Sequence, residues 1–360
     1  MSLPPPDPFL RLKARGAASN AAGRFETYSR QAENDGWDLP EEERALRTEV
    51  TEEFPRSVLN PVGSPDLGFD RSVNPYRGCE HGCIYCYARP SHAYLGLSAG
   101  LDFETRLIAR PNAPEILARE IARKTYKVAP IALGTNTDPY QPIEKRYRIM
   151  RRIVEVLSEW NHPLSIVTRG ALIGRDLDIL GDMARRNLVQ VGISVTTLDA
   201  ALARRMEPRA PTPERRLEMI RALTGAGVPV RVMVSPVIPV LTEPELERIL
   251  AAARQAGAVA ASWILLRLPL EVAPLFRDWL LRTEPGKAAH VMNKMREMRG
   301  GKDYDPDWDR RMKGEGLHAE LIGHRFAIAS KRLGYAADLP ALDCTAFAAP
   351  PRPGDQLSLF

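Results

Sequence analysis

The chain has 360 residues, of which 44% are hydrophobic and 26% are charged, a composition typical of a folded protein with a substantial core. No apolar run approaches the roughly 20 residues needed to span a bilayer, and the N-terminus lacks the apolar segment of a secretory signal. We therefore expect a cytoplasmic protein that is not embedded in a membrane.

The net charge bears on the class of partner, and the cysteines indicate a metal or cluster site. The net charge of +5 permits an anionic partner without requiring one. Only four cysteines occur, and three of them lie within residues 79–86. Such crowding favours a metal ion or cluster over a disulfide framework, and a reducing compartment agrees with it.

The two ends of the chain differ in composition from its centre. Residues 1–65 contain PPPDP, GAASNAAG and an acidic run, with little sustained apolar periodicity, so we expect an extension that is partly disordered or wraps over a core. Residues 338–360 have the same loose character and predict a flexible tail. Between these ends we expect a core over 66–270 and a helical region over 271–337.

The core alternates between two periodicities. Short apolar segments predict six strands, which cover residues 69–76, 130–136, 163–169, 189–197, 228–237 and 260–268. Amphipathic segments between them predict helices, which cover residues 112–127, 144–160, 175–186, 213–226 and 242–257. Asn112 is expected to cap the first helix, with Glu115 three residues later. Alternation at roughly 30-residue spacing predicts a parallel sheet with both faces covered.

A right-handed βα series of this kind predicts an α/β fold, a partial parallel (β/α)6 barrel. Its functional groups should gather on the loops after the carboxyl ends of the strands. Two or three further helices follow, including residues 286–300 and 315–335. Met292, Met295 and Met298 recur there at helical spacing, which predicts core packing rather than a soft-ligand surface.

The segment NPYRGCEHGCIYCYARP follows the first predicted strand and gives the spacing Cys79-x3-Cys83-x2-Cys86. Three thiolates on so short a loop can ligate three irons of a [4Fe–4S] cubane and leave the fourth iron without a protein ligand. S-adenosylmethionine (SAM) can chelate that iron through its amino and carboxylate groups, where one-electron reduction would give a 5′-deoxyadenosyl radical.

The alternative is a zinc site with His92 or Cys344 as the fourth ligand. Structural zinc normally takes four protein ligands, usually in two cysteine knuckles, and the sequence has no second knuckle. We therefore favour the cluster, and we expect His81, within the cysteine loop, to fill space rather than to ligate.

The cysteine motif at the end of the first strand of a βα barrel resembles the radical SAM superfamily, over about residues 66–270. GCxHGCxYCYAR, GTNTDPYQPIE (134–144), TRGxLIGRDLDIL (168–180) and MEPRAPTPERRL (206–217) are similar to its spore-photoproduct-lyase-like, or "DNA repair photolyase", branch. The resemblance implies an enzyme with a [4Fe–4S] cluster and SAM, supplied with electrons by a donor such as flavodoxin or ferredoxin.

The resemblance also implies residues that hold SAM. The backbone of Tyr85 would contact the adenine. The amino group would be received by Thr135, Asn136, Thr137 and Asp138, in place of the usual Gly-Gly-Glu element. The carboxylate and ribose would be held by Thr168, Arg169, Ser194 and Thr196. The methionyl end would meet Glu207 and Arg209, and the adenine would pack on Pro236 and Val237.

Tyr85 and Tyr87 flank Cys86 and match two tyrosines of the radical relay in the lyase. The lyase also uses a hydrogen-donating cysteine near its second barrel strand, where this sequence reads APIALGTNTDPYQ and has none. We expect Cys344, near the tail, to have a buried or incidental role. Reversal of spore photoproduct by the same mechanism is therefore not expected.

The chain ends in a second motif. It reads Gln356, Leu357, Ser358, Leu359 and Phe360, which resembles the QL(S/D)LF peptide that binds the bacterial DNA polymerase III β sliding clamp. Apolar anchors of an extended peptide would enter a hydrophobic cleft, and the preceding PPRPG would present them away from the body. The alternative is a tail that folds back onto the domain.

These features together favour a radical SAM enzyme that acts on DNA, in repair or base processing. A basic stretch such as EKRYRIMRR could contact phosphates, although no recognisable DNA-binding module occurs. Two alternatives stay open. One is a radical SAM enzyme that modifies RNA, a peptide or a small molecule, and the other is a non-catalytic, clamp-associated iron–sulfur sensor or scaffold.

Overall fold

The structure is a computed structural model, and it describes residues 15–21, 23–25, 47–308 and 310–350. Within these ranges the chain forms ten strands. They are β1 (Glu49–Glu52), β2 (Asn60–Pro61), β3 (Arg71–Val73), β4 (Tyr76–Arg77), β5 (Arg106–Ala109), β6 (Ile131–Leu133), β7 (Leu164–Thr168), β8 (Val189–Ser194), β9 (Val230–Val237) and β10 (Ala260–Leu265).

The main sheet has the order β10-β9-β8-β7-β6-β3-β2. Every pair from β3 to β10 is parallel, and β2 joins β3 antiparallel at the edge. The six predicted strands and their parallel arrangement are thus confirmed. Strands β3 and β10 are not paired with each other, so the sheet is a partial barrel whose strands are nearly continuous runs of buried apolar residues.

Helices alternate with these strands and cover the outside of the sheet. The α-helices among the described residues are α1 (Asp102–Thr105), α2 (Ala113–Ile121), α3 (Glu144–Tyr147), α4 (Ile149–Glu159), α5 (Leu177–Arg185), α6 (Ala200–Met206), α7 (Pro213–Gly225), α8 (Leu246–Gln255), α9 (Val272–Thr283), α10 (Pro285–Glu297) and α11 (Gly316–Arg332). Each predicted helix is present. Helices α1 and α6 were not predicted.

Two local predictions need correction. The helix predicted over 144–160 is divided into α3 and α4, because Arg148 adopts a φ of +53° and interrupts the helical path. Asn112 does precede α2, but its side chain makes no capping bond and instead donates to the Pro55 carbonyl at 3.4 Å.

A second, three-stranded sheet has the order β1-β5-β4 and lies beside the cysteine loop. Residues 15–21 of the N-terminal extension pack against the same region. The backbone N–H groups of Gly16 and Ala17 each donate to the Glu104 carboxylate at 2.9 Å. This part of the extension therefore wraps over the core.

The C-terminal helices complete the packing. Met292, Met295 and Met298 are buried, which confirms that they pack in the core. Farther on, Phe347 packs against Trp160 at the amino-terminal edge of the sheet. The segment over 356–360, which is predicted to bind the clamp, lies outside the described residues. Among the helices that the structure describes, none has the length and apolarity that a bilayer crossing requires.

Candidate functional site

The cysteine loop begins directly after β4 and is fixed by backbone hydrogen bonds. The Cys79 N–H donates to the Phe103 carbonyl at 2.9 Å, and the Ile84 N–H donates to the Met206 carbonyl at 3.0 Å. Cys79 and Cys83 are buried, whereas Cys86 is partly exposed. The loop thereby presents three thiols toward the carboxyl ends of the main sheet.

A cavity of about 370 Å³ opens at these strand ends. It brings the three cysteines together with most of the residues predicted to hold SAM. Of the predicted set, the cavity is lined by Cys79, Cys83, Cys86, Tyr85, Tyr87, Thr135, Asn136, Thr137, Asp138, Thr168, Arg169, Ser194 and Pro236. Parallel strands end at one edge of a sheet, so residues distant in sequence converge there.

Four predicted residues are not on the cavity wall. They are Thr196, Glu207, Arg209 and Val237. Glu207 is buried and accepts a hydrogen bond from the Thr196 hydroxyl at 2.8 Å. Arg209 pairs with Glu80 at 2.9 Å. These side chains face inward or behind the loop, and the structure does not bring them to the cavity.

Asp138 holds the ends of two strands together. Its carboxylate accepts hydrogen bonds from the Thr168 hydroxyl at 2.5 Å and from the Arg169 N–H at 2.9 Å. His81 Nδ1 lies 3.4 Å from Asp138 Oδ2, so His81 is a contact of this carboxylate and not only a space filler. Burial alone would raise the pKa of Asp138, but His81 and these hydrogen bonds outweigh burial and hold the pKa well below its usual range.

Arg169 joins the cysteine loop to the floor of the site. Its Nη1 lies 3.1 Å from Cys83 Sγ, 2.6 Å from the Tyr85 hydroxyl and 2.8 Å from a Glu207 oxygen. Burial opposes the charge, but the neighbouring cysteines and Asp138 outweigh burial and raise the pKa of Arg169. A permanently charged group therefore stands beside the thiols.

The turn after β6 needs a glycine. Gly134 has a φ of +90°, and a Cβ at this position would overlap the Val167 carbonyl oxygen of the adjacent strand. This close approach brings Thr135 and Asn136 onto the cavity wall, where the Asn136 N–H donates to the Asn74 side chain at 3.0 Å.

The chemistry of the donor set can be compared with that of an iron–sulfur cluster. Within the described ranges, no three His, Cys, Asp or Glu side chains converge on one metal ion. The proposed fourth zinc ligands are elsewhere: His92 Nε2 lies 3.0 Å from the Arg106 carbonyl, and Cys344 lies near Tyr126. Three cysteines line the same cavity, and three thiols are the ligand type and number that a cubane with one open iron requires.

The sequence prediction missed several residues of the cavity wall. Met233 and Ser235 alternate along β9, and Arg267 lies two residues after the end of β10. The rule that strand ends carry function would have found Arg267. Arg311 and Met312 come from the connection between α10 and α11, and no sequence pattern places that connection over the barrel.

Comparison with known proteins identifies relatives of this architecture. The family model described as the radical SAM superfamily matches residues 73–253. An uncharacterized protein of Mycobacterium tuberculosis (strain H37Rv) is 37% identical over 275 residues, which are 76% of this chain and 80% of that protein. An uncharacterized protein of Methanocaldococcus jannaschii is 27% identical over 191 residues, or 53% of this chain and 68% of that protein.

Solved structures of spore photoproduct lyase share the fold. A variant with a cysteine replaced by serine superposes with a TM-score of 0.54 at 14% identity, covering 79% of this chain and 80% of that chain. A double variant with bound AdoMet and dinucleoside spore photoproduct gives 0.53 at 14% identity with the same coverage. At this identity the likeness establishes the fold alone.

Proposed function

The chain belongs to the radical SAM superfamily, which implies a [4Fe–4S] cluster and SAM, and we propose that Cys79, Cys83 and Cys86 hold this cluster. The protein would cleave SAM at the cluster and act on DNA. The observation that supports this most directly is the cavity itself, which the three thiols share with polar strand-end groups. When bound, the cluster and SAM supply reductive cleavage of SAM and hydrogen abstraction from a substrate.

The residues around the thiols would bind and orient SAM. Thr135 and Asn136 offer hydroxyl and amide groups on the wall formed after β6, and Ser194 offers a hydroxyl at the end of β8. Asp138 would act by fixing Thr168 and Arg169, because its oxygens are already engaged by them. Arg169 would hold negative charge next to the thiols.

Tyr87 would serve the hydrogen-transfer step. Its ring lies on the cavity wall with 45% of its surface exposed, and its hydroxyl donates to the Thr135 carbonyl. A phenol on the same cavity wall as the three cysteines would meet a substrate bound there, which is what a radical relay requires.

Reconstitution under anaerobic conditions tests the cofactors. We expect about four irons and four sulfides per chain, an EPR signal that changes on addition of SAM, and formation of 5′-deoxyadenosine. Replacement of Cys83 by Ala should abolish these results, whereas the matched Cys344→Ala should not, since Cys344 lies near Tyr126 and off the cavity. Stoichiometric zinc without a response to SAM would contradict the proposal.

The DNA substrate is supported by the +5 net charge and by the C-terminal motif. We expect the peptide over 356–360 to bind the β sliding clamp at about micromolar affinity, since a short peptide buries little area. Leu359→Ala with Phe360→Ala should eliminate binding, because a few apolar anchors carry most of the free energy. Ser358→Asp, which the motif tolerates, is the matched control.

The substrate itself is tested by anaerobic turnover with SAM and a panel of damaged DNAs, read by product mass spectrometry. A SAM-dependent change in one DNA is the expected result. SAM cleavage without any DNA product would favour an RNA, peptide or small-molecule substrate. Absence of SAM cleavage would favour the sensor or scaffold.

A further inference from the structure

Arg267 is a cavity-wall cation whose hydrogen-bonding capacity is largely unused. Its Nη1 lies 3.8 Å from Met312 Sδ, its Nη2 lies 3.3 Å from the Tyr304 hydroxyl, and its Nε is buried without a partner. A thioether and a distant phenol are weak acceptors for a guanidinium. Among the described residues, Arg267 has no carboxylate within ion-pair distance.

The other two arginines on the cavity wall are each paired with a carboxylate. Arg169 pairs with Glu207 at 2.8 Å, and Arg311 forms a two-pronged pair with Asp66, one arm of which measures 2.6 Å. The pKa of Asp66 is lowered mainly by its hydrogen bonds with Arg311 and, to a smaller extent, by the charge of Arg267. Both carboxylate oxygens of Asp66 are already occupied by Arg311. Among the cavity arginines, Arg267 is therefore the one that no carboxylate of the described residues pairs with.

A flat aromatic surface adjoins this cation. The Arg267 guanidinium lies 5.0 Å from the centre of the Tyr87 ring, which is the ring next to Cys86. Leu67, Phe69 and Met312 add apolar wall on the same cavity. The site thus offers a guanidinium oxyanion donor in contact with an aromatic ring, and phosphate next to a planar base is the ligand chemistry that uses both.

We propose that Arg267 binds the phosphodiester of a DNA strand and thereby places the adjoining base against Tyr87, facing the cysteines. This inference rests on the proposed function, since the DNA substrate is part of it. The oxyanion could also belong to a small phosphorylated molecule, and the C-terminal motif predicted to bind the clamp favours the DNA strand.

The test measures equilibrium binding of two probes to the anaerobic, cluster-reconstituted, SAM-loaded protein. The probes are thymidylyl-thymidine and its methylphosphonate analogue, which differ in the charge of the linkage. We expect wild type to prefer the charged probe by about tenfold or more, as a charge-assisted contact implies. Arg267→Gln should lose this preference. Arg221→Gln, the same charge change on the exposed outer face of α7, should keep it.

Four results would overturn the proposal. Three of them are equal binding of the two probes by wild type, no binding of either probe, and an unchanged preference in Arg267→Gln protein whose circular dichroism matches wild type. Competition by thymidine 5′-monophosphate as strong as by the dinucleotide would also overturn it, in favour of a small phosphorylated ligand. The proposed function is tested separately, by measuring SAM cleavage and DNA products. If that function proves wrong, the binding preference for the charged probe can still be measured.

Discussion

The cysteine loop is held from behind by a buried ion pair, and we predict that Glu104→Gln loosens it. Glu104 and Arg89 are fully buried and pair at 2.5 Å. Glu104 also accepts the N–H groups of Gly16 and Ala17, while Arg89 donates to the Cys83 carbonyl at 2.9 Å. One carboxylate thus connects the N-terminal segment to the loop that carries the thiols.

The expected loss of stability follows from the hydrogen bonds and the charge that glutamine cannot supply. Its NH₂ group cannot accept the hydrogen bonds that one carboxylate oxygen now accepts, and its neutrality leaves the Arg89 charge unpaired. Removing one partner of a buried pair costs about 3–5 kcal/mol. Arg89 keeps carbonyl partners at Cys83, Ala99 and Gly100. We therefore expect the lower end, about 3 kcal/mol of the free energy of unfolding.

Urea unfolding of wild type and variant measures this difference, and the rate of iron loss to a chelator should increase in the variant. Glu115→Gln is the matched control, because Glu115 pairs with Arg152 while 58% of its side chain is exposed. An exposed pair is worth about 0–1 kcal/mol. If Glu104→Gln costs no more than the control, the ion pair does not hold the loop.

Three further predictions follow from other contacts. Gly16→Ala would push a methyl group into the Gly82 carbonyl oxygen and so loosen the N-terminal segment, and tryptic cleavage after residue 15 should then be faster by about tenfold. Gly63→Ala, with open space around it, should be cleaved at the wild-type rate. Burial lowers the pKa of His162 from 6.5 to about 4. The unfolded chain therefore binds the proton first, and His162 should lower stability by about 3 kcal/mol between pH 6.5 and 4. His162→Gln should remove this part of the pH dependence in urea unfolding, and should leave the part that comes from carboxylates with lowered pKa values, such as Asp138. Tyr87→Phe should keep its iron but lose most product, because a phenyl ring has no phenolic hydrogen; full turnover would return Tyr87 to a packing role.

The barrel strands and the cavity were predictable because both depend on local patterns. Six runs of buried apolar residues alternate with amphipathic helices, and this alternation dictates a parallel sheet. Once the sheet is parallel, residues at the strand ends such as Thr135 and Arg169 must meet at one edge. Their convergence with Cys79, Cys83 and Cys86 needed no knowledge of long-range contacts.

The remaining features depend on contacts that local patterns do not encode. Arg148 interrupts a helix through a positive φ that its residue type does not indicate. Residues 15–21 look loose in composition, yet they pack because Glu104, far along the chain, accepts their backbone N–H groups. Arg311 reaches the cavity from a connection between helices, and its pair with Asp66 joins parts of the chain that are distant in sequence.

Glu207 shows how a residue can act on the cavity without lining it. Its two oxygens contact different guanidinium groups, Arg169 beside the thiols and Arg216 on α7. It also accepts the hydroxyl groups of Tyr85 and Thr196. If the Glu207 carboxylate turned toward the cavity, these partners would lose their hydrogen-bond acceptor. Each lost hydrogen bond or ion pair would cost free energy, so Glu207 stays behind the cavity wall. The MEPRAP segment therefore positions Arg169 and Tyr85 from beneath, and its effect on SAM would pass through those two side chains.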